Sequence, residues 1–374
     1  MRFATLILRN IARRRTRSAL TVLGLGVGIA AVVGLLGIAW GFERSFMDIY
    51  TSKGIDLVVV RSGVADRLTS HLDASMGEKL RRVEGVKDVA AALMDVVSFE
   101  EANLVSVLVN GWEPGSLLFR GVRVVGGREL VAEDKSRALL GRTLAGNLGK
   151  KVGDRVDVAG QPFEVVGVFE ADSLYENGSL IMPLAQLQTM MGREGQVTSF
   201  MVKADDEREV SVRALGKRIA ADFPGVGATP ARDFVQGEVL IGLAKSMAWA
   251  TSVLALVLGS VGMLNTMVMA VFERTREIGV LRSLGWRRRR VLLLILGEAL
   301  ALGILGTILG GIMGVVGVRL IALSPSARAF ISADVPPAAL GVGLGLGLLL
   351  SVLGGLYPAL RASTLEPTEA LRHD

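Results

Sequence analysis

Residues 273–290 read ERTREIGVLRSLGWRRRR, seven arginines and two glutamates in eighteen positions between two long apolar runs. Charge packed this way has three readings: a nucleic-acid patch, a topology signal for a membrane protein, or a docking element for a partner. A second group of chemical interest is Glu298, the only charge in the run 291–318. It follows Arg290 by eight residues, roughly 12 Å along a helix at 1.5 Å per residue. An acid at that depth carries protons, is held as a protonated, hydrogen-bonded structural group, or snorkels back to the flanking arginines. The spans offer no second ionisable residue for a relay, which favours the structural role.

Other chemistries find no residues to carry them. The chain has no cysteine, and its two histidines, His71 and His373, are far apart in sequence. Thiolate chemistry and histidine-based metal sites are thereby set aside. Gly141 and Gly146 have the spacing that opens a phosphate loop, but Asn147 follows where Lys-Ser/Thr is required, so turn glycines are the plain reading. No nucleophile-elbow, zincin or EF-hand pattern is present. The chain is not expected to be an enzyme, nor to bind a cofactor directly. Asn177-Gly-Ser matches a glycosylation sequon, but a three-residue match carries no weight.

The elements that must position the charged segment are apolar. Runs 18–42, 246–272 and 335–360 carry no charge, and 291–318 carries only Glu298. Each exceeds the ~20 helical residues needed to cross a bilayer core. Four spans follow, one before and three after the large segment 43–245. The first is too long for a cleaved h-region and no clear cleavage site follows it, so it reads as an uncleaved anchor.

Charge then sets the orientation. Residues 1–17 carry six arginines and no acid, and 273–290 and 361–374 lie on the same side. Segment 43–245 is net −4 although the whole chain is +6. Basicity therefore belongs to short membrane-flanking pieces, which the positive-inside rule places in the cytoplasm. Seven arginines beside headgroups meet anionic lipid more readily than nucleic acid, and no nucleic-acid partner is expected.

The fold class expected is an α-helical membrane protein with four transmembrane helices, one plus three, and a large α+β periplasmic domain between helices 1 and 2. Its parts are a cytoplasmic amphipathic helix (1–17), spans 18–42, 246–272, 291–318 and 335–360, and the outside domain 43–245. The rest comprises the cytoplasmic segment 273–290, a short outside loop 319–334 and a cytoplasmic tail 361–374. Within the outside domain, IDLVVVRSG (55–63) and VTSFMVKA (197–204) read as strands. Each is followed by a helix, near 74–83 and 208–223, the second with Val210, Val212, Leu215 and Ile219 mostly on one face. Two similar strand-helix-strand parts result, about 50–110 and 196–238. A β-rich insertion lies between them, about 111–195, with two strands joined around Ala159–Gly160. Ser173, inside the insertion, is expected at the outer surface.

Segment 273–290 contains more than a topology signal needs. Ile278, Val280, Leu281 and Leu284 interleave with the charges, Glu273 and Arg276 are i,i+3 neighbours, and Glu277 lies one turn before Leu281. This describes a short amphipathic helix with a turn at Gly285 and the basic end Arg287–Arg290. A solvated loop with no further role is the competing reading. Glycines in the spans recur at four-residue spacing: Gly24/Gly28, Gly306/Gly310, Gly310/Gly314, Gly341/Gly345 and Gly343/Gly347. Such pairs permit close helix packing.

Four regions in register carry a resemblance. ERTREIGVLRSLGWRRRRV resembles the cytoplasmic segment of MacB-type ABC transporter permeases, the family that includes LolC/LolE and FtsX-like proteins. LRNIARRRTRSALTVLGLGVGIAAVV (8–33) is similar to the family's arginine-rich entry into the first span. LLGRTLAGNLGKKVGDRVDVAGQPFEVVGVF (139–169) resembles its periplasmic core, and YPALRASTLEPTEALR (357–372) its closing signature.

The resemblance implies a permease in the bacterial inner membrane, paired as a homodimer or paralogous heterodimer and bound to two copies of an ABC ATPase subunit. ATP and magnesium would sit on that partner, because no Walker motif occurs in these residues. It also allows a periplasmic adaptor. Glu273, Arg276, Glu277, Gly279, Leu281, Arg282 and Gly285 match the family's coupling helix and are the ATPase-contact residues it implies. ATP-driven closure would move the outside domain, a mechanotransmission that drives export or extraction from the periplasm or outer leaflet. The same architecture serves lipoprotein release and FtsX-like activation of a cell-wall hydrolase. The roughly 200-residue outside domain favours the transporter.

Overall fold

The computed structural model of the 374-residue chain describes residues 7, 10, 12, 13, 15–64, 67–102, 104–324 and 334–364. Much of the segment expected as a helix over 1–17, most of loop 319–334 and the tail beyond 364 lie outside the described residues. Two compact units are present: Phe42–Leu243 with Ile321–Ser332, and Met1–Gly41 with Ala244–Leu320 and Ala333–Asp374.

Along the chain come helix α1 (Arg15–Thr51), strands β1 (Leu57–Arg61) and β2 (Leu72–Asp73), helix α2 (Met76–Arg81), then β3 (Val86–Phe99), β4 (Leu104–Trp112) and β5 (Val122–Gly127). Next are β6 (Arg137–Gly141), α3 (Arg142–Leu148), β7 (Arg155–Val158), β8 (Gln161–Ala171), α4 (Leu174–Asn177), β9 (Leu180–Pro183) and α5 (Leu184–Met190). The domain ends with β10 (Gln196–Val197), β11 (Ser199–Ala204), α6 (Glu209–Asp222), β12 (Val226–Pro230) and α7 (Ala231–Gly237). Helices α8 (Val239–Phe272), α9 (Thr275–Ser283), α10 (Arg288–Ile321) and α11 (Pro337–Thr364) complete the described chain.

The unit containing the strands is organised on a large sheet, ordered β12-β1-β11-β3-β4-β9-β6-β8-β5, with β7 hairpinned onto β8, while β2 and β10 pair separately. Its first four strands come from the two strand-helix-strand parts, which interleave: β1 lies between β11 and β12, and β11 between β1 and β3. The strands of 111–195 continue the same sheet. The joint is a parallel pairing of β4 with β9, Val109 opposite Leu180 and Gly111 opposite Met182.

Period-2 alternation gives this sheet two buried faces. Leu57, Val59, Val89, Ala91, Leu140, Leu180, Phe200 and Val202 point one way and pack with Leu80, Leu144, Leu187, Leu215 and Ile219 from the helices. Their neighbours Val58, Ala90, Ala92, Leu139, Ile181 and Met201 point the other way, onto Phe46, Ile49, Tyr50, Leu117, Leu118 and Val235. Helix α6 buries Val212, Leu215, Gly216 and Ile219. Val210 departs from the expected face and is exposed.

One further position in this unit, Ser173, differs from its sequence reading. Ser173 is fully buried; its hydroxyl lies 3.3 Å from that of Ser45 and caps α4 at the Glu176 amide. Asn177 is also buried, and its amide closes a loop by donating to the Ala171 carbonyl and accepting from the Ala171 amide. Both side chains complete backbone hydrogen bonds where β8 ends, a role invisible without the turn that brings 171 and 177 together.

The other unit contains the apolar helices. Leu25, Ile29, Val32, Val33 and Leu36 of α1 are buried. Gly306, Gly310 and Gly314 of α10 receive them: a Cβ on Gly306 would meet Leu25, one on Gly310 Ile29, and one on Gly314 Val33. Beyond the span centre, Met263, Met267 and Val271 of α8 cluster with Val291, Ile295, Ala299 and Leu302 of α10 and Ala359 and Ala362 of α11. Arg361 lies over the Phe272 ring at 4.8 Å, joining the ends of α11 and α8.

Candidate functional site

The charged segment folds as a helix between two turns. Thr275 begins it by donating its hydroxyl back to the carbonyls of Val271 and Phe272, which closes the last turn of α8. Gly285 ends it with φ +90°, a conformation that glycine adopts without the penalty a side chain brings. The Gly285 amide donates to Arg282 and the Trp286 amide to Leu281.

Helix α9 has two distinct sides. Thr275, Ile278 and Gly279 are buried, with Ile278 inside the apolar cluster formed by α8, α10 and α11. Arg276, Glu277, Val280 and Leu284 are exposed, Leu284 by 74%. Leu281 and Arg282 sit at the boundary, and Arg282 donates to the Trp286 carbonyl. The outward face thus carries apolar Val280 and Leu284 between charges, on a helix whose other side is anchored.

Ion pairs tie this segment to the start of α1. Arg17 donates to Glu273 at 2.6 Å, and Arg13 approaches Glu277 at 3.9 Å. The i,i+3 neighbour expected for Glu273 was Arg276; the observed short contact is with Arg17.

Glu298 is held by one arginine of the charged segment: an Arg274 nitrogen lies 2.9 Å from both of its carboxylate oxygens. Asn10 donates to the same carboxylate at 2.6 Å. The two charged side chains are only 13% and 9% exposed. Arg274 was read as one of seven loop charges, because its pairing depends on how α8, α9 and α10 pack. The arginines of 273–290 were the cations within reach of a snorkelling acid, but nothing in the sequence singled out Arg274 among them.

The glycines divide by their surroundings. Gly306, Gly310 and Gly314 lie against α1, and Gly28 approaches the Ala255 carbonyl of α8. Cβ positions on Gly343 and Gly347 would meet Val33 and Thr307. Gly24, Gly341 and Gly345 have open space within 4 Å of theirs. Among the described residues, no group of three or more His, Asp or Glu side chains could hold a metal ion.

Four long apolar helices, the one-plus-three order and a sheet domain inserted after the first are matched by known families. Residues 18–221 match the MacB-like periplasmic core domain, and residues 249–367 the FtsX-like permease C-terminal domain. The chain belongs to the MacB/FtsX-like ABC transporter permease family. A macrolide export ATP-binding/permease protein MacB of Bdellovibrio bacteriovorus is 27% identical over 98% of this chain and 61% of its own length. An uncharacterised ABC transporter permease of Bacillus subtilis, YknZ, is 25% identical over 98% of both chains. Another from Methanocaldococcus jannaschii is 27% identical over 98% of this chain and 97% of its own. The chain thus spans about three fifths of the MacB relative's length and nearly all of the other two. As a MacB/FtsX-like permease it is a multi-pass inner-membrane protein with a large extracytoplasmic domain between the first and second spans.

Proposed function

We propose that this chain is the permease subunit of an ABC transporter whose ATP hydrolysis occurs on a separate subunit, and that α9 is the helix on which the ATPase docks. The observation that carries this reading is the two-sided character of α9. One side is bound into the span cluster through Ile278, and the other presents Val280, Leu284, Arg276 and Glu277 outward. Exposed apolar residues rimmed by charge at a helix end are a docking surface rather than a stable solvated loop.

Two permease copies would bind two ATPase copies carrying ATP and magnesium. Glu273, Arg276, Glu277, Gly279, Leu281, Arg282 and Gly285 would form or shape the contact. Closure of the ATPase pair would be passed to the extracytoplasmic domain, driving export or extraction of substrate taken from the periplasm or outer leaflet. The name of the MacB relative supports export; an adaptor protein fits the same scheme. Span interiors support mechanical transmission over a hydrophilic pore, since Glu298 is the one acid in 291–318 and is already paired.

The test is Leu284→Asp, whose side chain is exposed, so the change leaves the span cluster intact. An ATPase subunit is expected to co-purify with the wild-type chain; with the variant it should no longer be retained, or should lose permease-stimulated turnover at least tenfold. Retained binding with unchanged turnover would remove the docking role from α9.

A further inference from the structure

We propose that Glu298 is a positioning residue that acts through Arg274, and that the pair sets the angle and register at which α9 leaves the membrane. Its consequence for transport rests on the docking role proposed above; its geometry does not.

Arg274 is the residue before the first turn of α9, so the place of its guanidinium determines where that helix begins. One nitrogen is held 2.9 Å from both Glu298 oxygens, while Nε donates to Glu277 at 3.3 Å. A single guanidinium therefore bridges the first turn of α9 and a buried position ten residues into α10. Asn10 donates to the same carboxylate, bringing the start of the chain to the joint.

The other ties of α9 are weaker in direction: Thr275, Ile278 and Gly279 make apolar or small contacts in the cluster, and the ion pairs of Arg17 with Glu273 and Arg13 with Glu277 are open to solvent. The guanidinium supplies the missing constraint because its donors have fixed directions. It sits one helical turn before Ile278, on the same side. Two anchored points on one side hold Val280 and Leu284 on the other.

Desolvating both charges is costly, and a buried pair is a poor source of stability compared with apolar side chains of equal volume. Its presence at the junction is therefore better explained by the one geometry it enforces. A proton relay does not fit the same arrangement. The carboxylate is already engaged by Arg274 and Asn10, and a proton on it would displace one of these donors.

The permease alone, in lipid nanodiscs, tests the anchor. Glu298→Gln and Arg274→Gln should each speed backbone hydrogen exchange of residues 278–284 by about tenfold or more, with exchange in β1 and β11 unchanged. Arg274→Lys keeps the charge without the fixed donor directions and should leave exchange close to that of Arg274→Gln. With the co-purifying ATPase added, Glu298→Gln should lower maximal stimulated turnover while half-saturation by the ATPase changes less than threefold, because the docking face is intact. Leu284→Asp should do the reverse, raising half-saturation.

Wild-type exchange in both Gln variants overturns the anchor. So does full recovery of protection by Arg274→Lys, since charge without directed donors would then suffice. If exchange behaves as expected but Leu284→Asp leaves ATPase half-saturation unaltered, the anchor stands and the docking reading fails.

Discussion

Two charge clusters outside the membrane show how single residues hold the sheet domain. Asp134 is fully buried and accepts from both terminal nitrogens of Arg128, from Arg137 and from the Val131 amide. Hydrogen bonds from Arg128 hold its carboxyl well below the usual carboxylate range. A group with a depressed folded pKa contributes stability above its unfolded value, about 3.9, and loses it as pH falls through the folded one. Asp134→Asn should therefore cost about 1–3 kcal/mol near neutral pH, the range for hydrogen bonds to a charged group. The gap from wild type should narrow only below about pH 4. Urea unfolding followed across pH would check both the size and the sign. Lys53 and Glu176 make the contrasting case, an ion pair at 2.9 Å with both side chains almost fully buried. Lys53→Met alone should destabilise by about 3–5 kcal/mol, because Glu176 is left without its cation. Lys53→Met with Glu176→Leu should recover most of that loss, and a double-mutant cycle in the same assay measures the coupling.

At the scale of elements, legibility followed sequence separation. The spans could be read because charge-free runs of this length have few alternatives, and α9 because Ile278, Leu281 and Gly285 mark a local pattern. What stayed hidden depends on distant pairing: Arg274 with Glu298, Ser45 with Ser173, and the parallel joint of β4 with β9. The helix glycines fall between these cases. Spacing alone did not distinguish Gly310, whose Cβ position would meet the Gly26 carbonyl and Ile29, from Gly24 and Gly341, which have open space. Gly310→Val should therefore destabilise the helical unit by about 1–3 kcal/mol or more, the usual cost of overpacking. Gly24→Val and Gly341→Val should be tolerated within one copy of the chain. Melting in detergent, with sedimentation to follow association, separates the two groups. A drop in association caused by Gly24→Val or Gly341→Val would place those glycines against a second copy.

For the whole molecule, the decisive quantity is on which side of the bilayer each charged part lies. The chain is +6, yet segment 43–245 is net −4, and the excess arginines flank spans. Orientation set by arginines near span ends places α9 in the cytoplasm and the sheet domain outside. Because the chain has no cysteine, single introduced thiols report this without background. Ser173 would be a poor reporter, since it is buried against Ser45 and a thiol there would not meet reagent. Glu84 suits the purpose, with its side chain 97% exposed, as does Leu284 on α9. In intact spheroplasts a membrane-impermeant maleimide should label Glu84→Cys within minutes and leave Leu284→Cys unmodified. After lysis both should label to the same extent. Labelling of Leu284→Cys before lysis, with Glu84→Cys protected, would invert the topology. It would also put α9 on the side away from ATP and remove the docking role proposed for it.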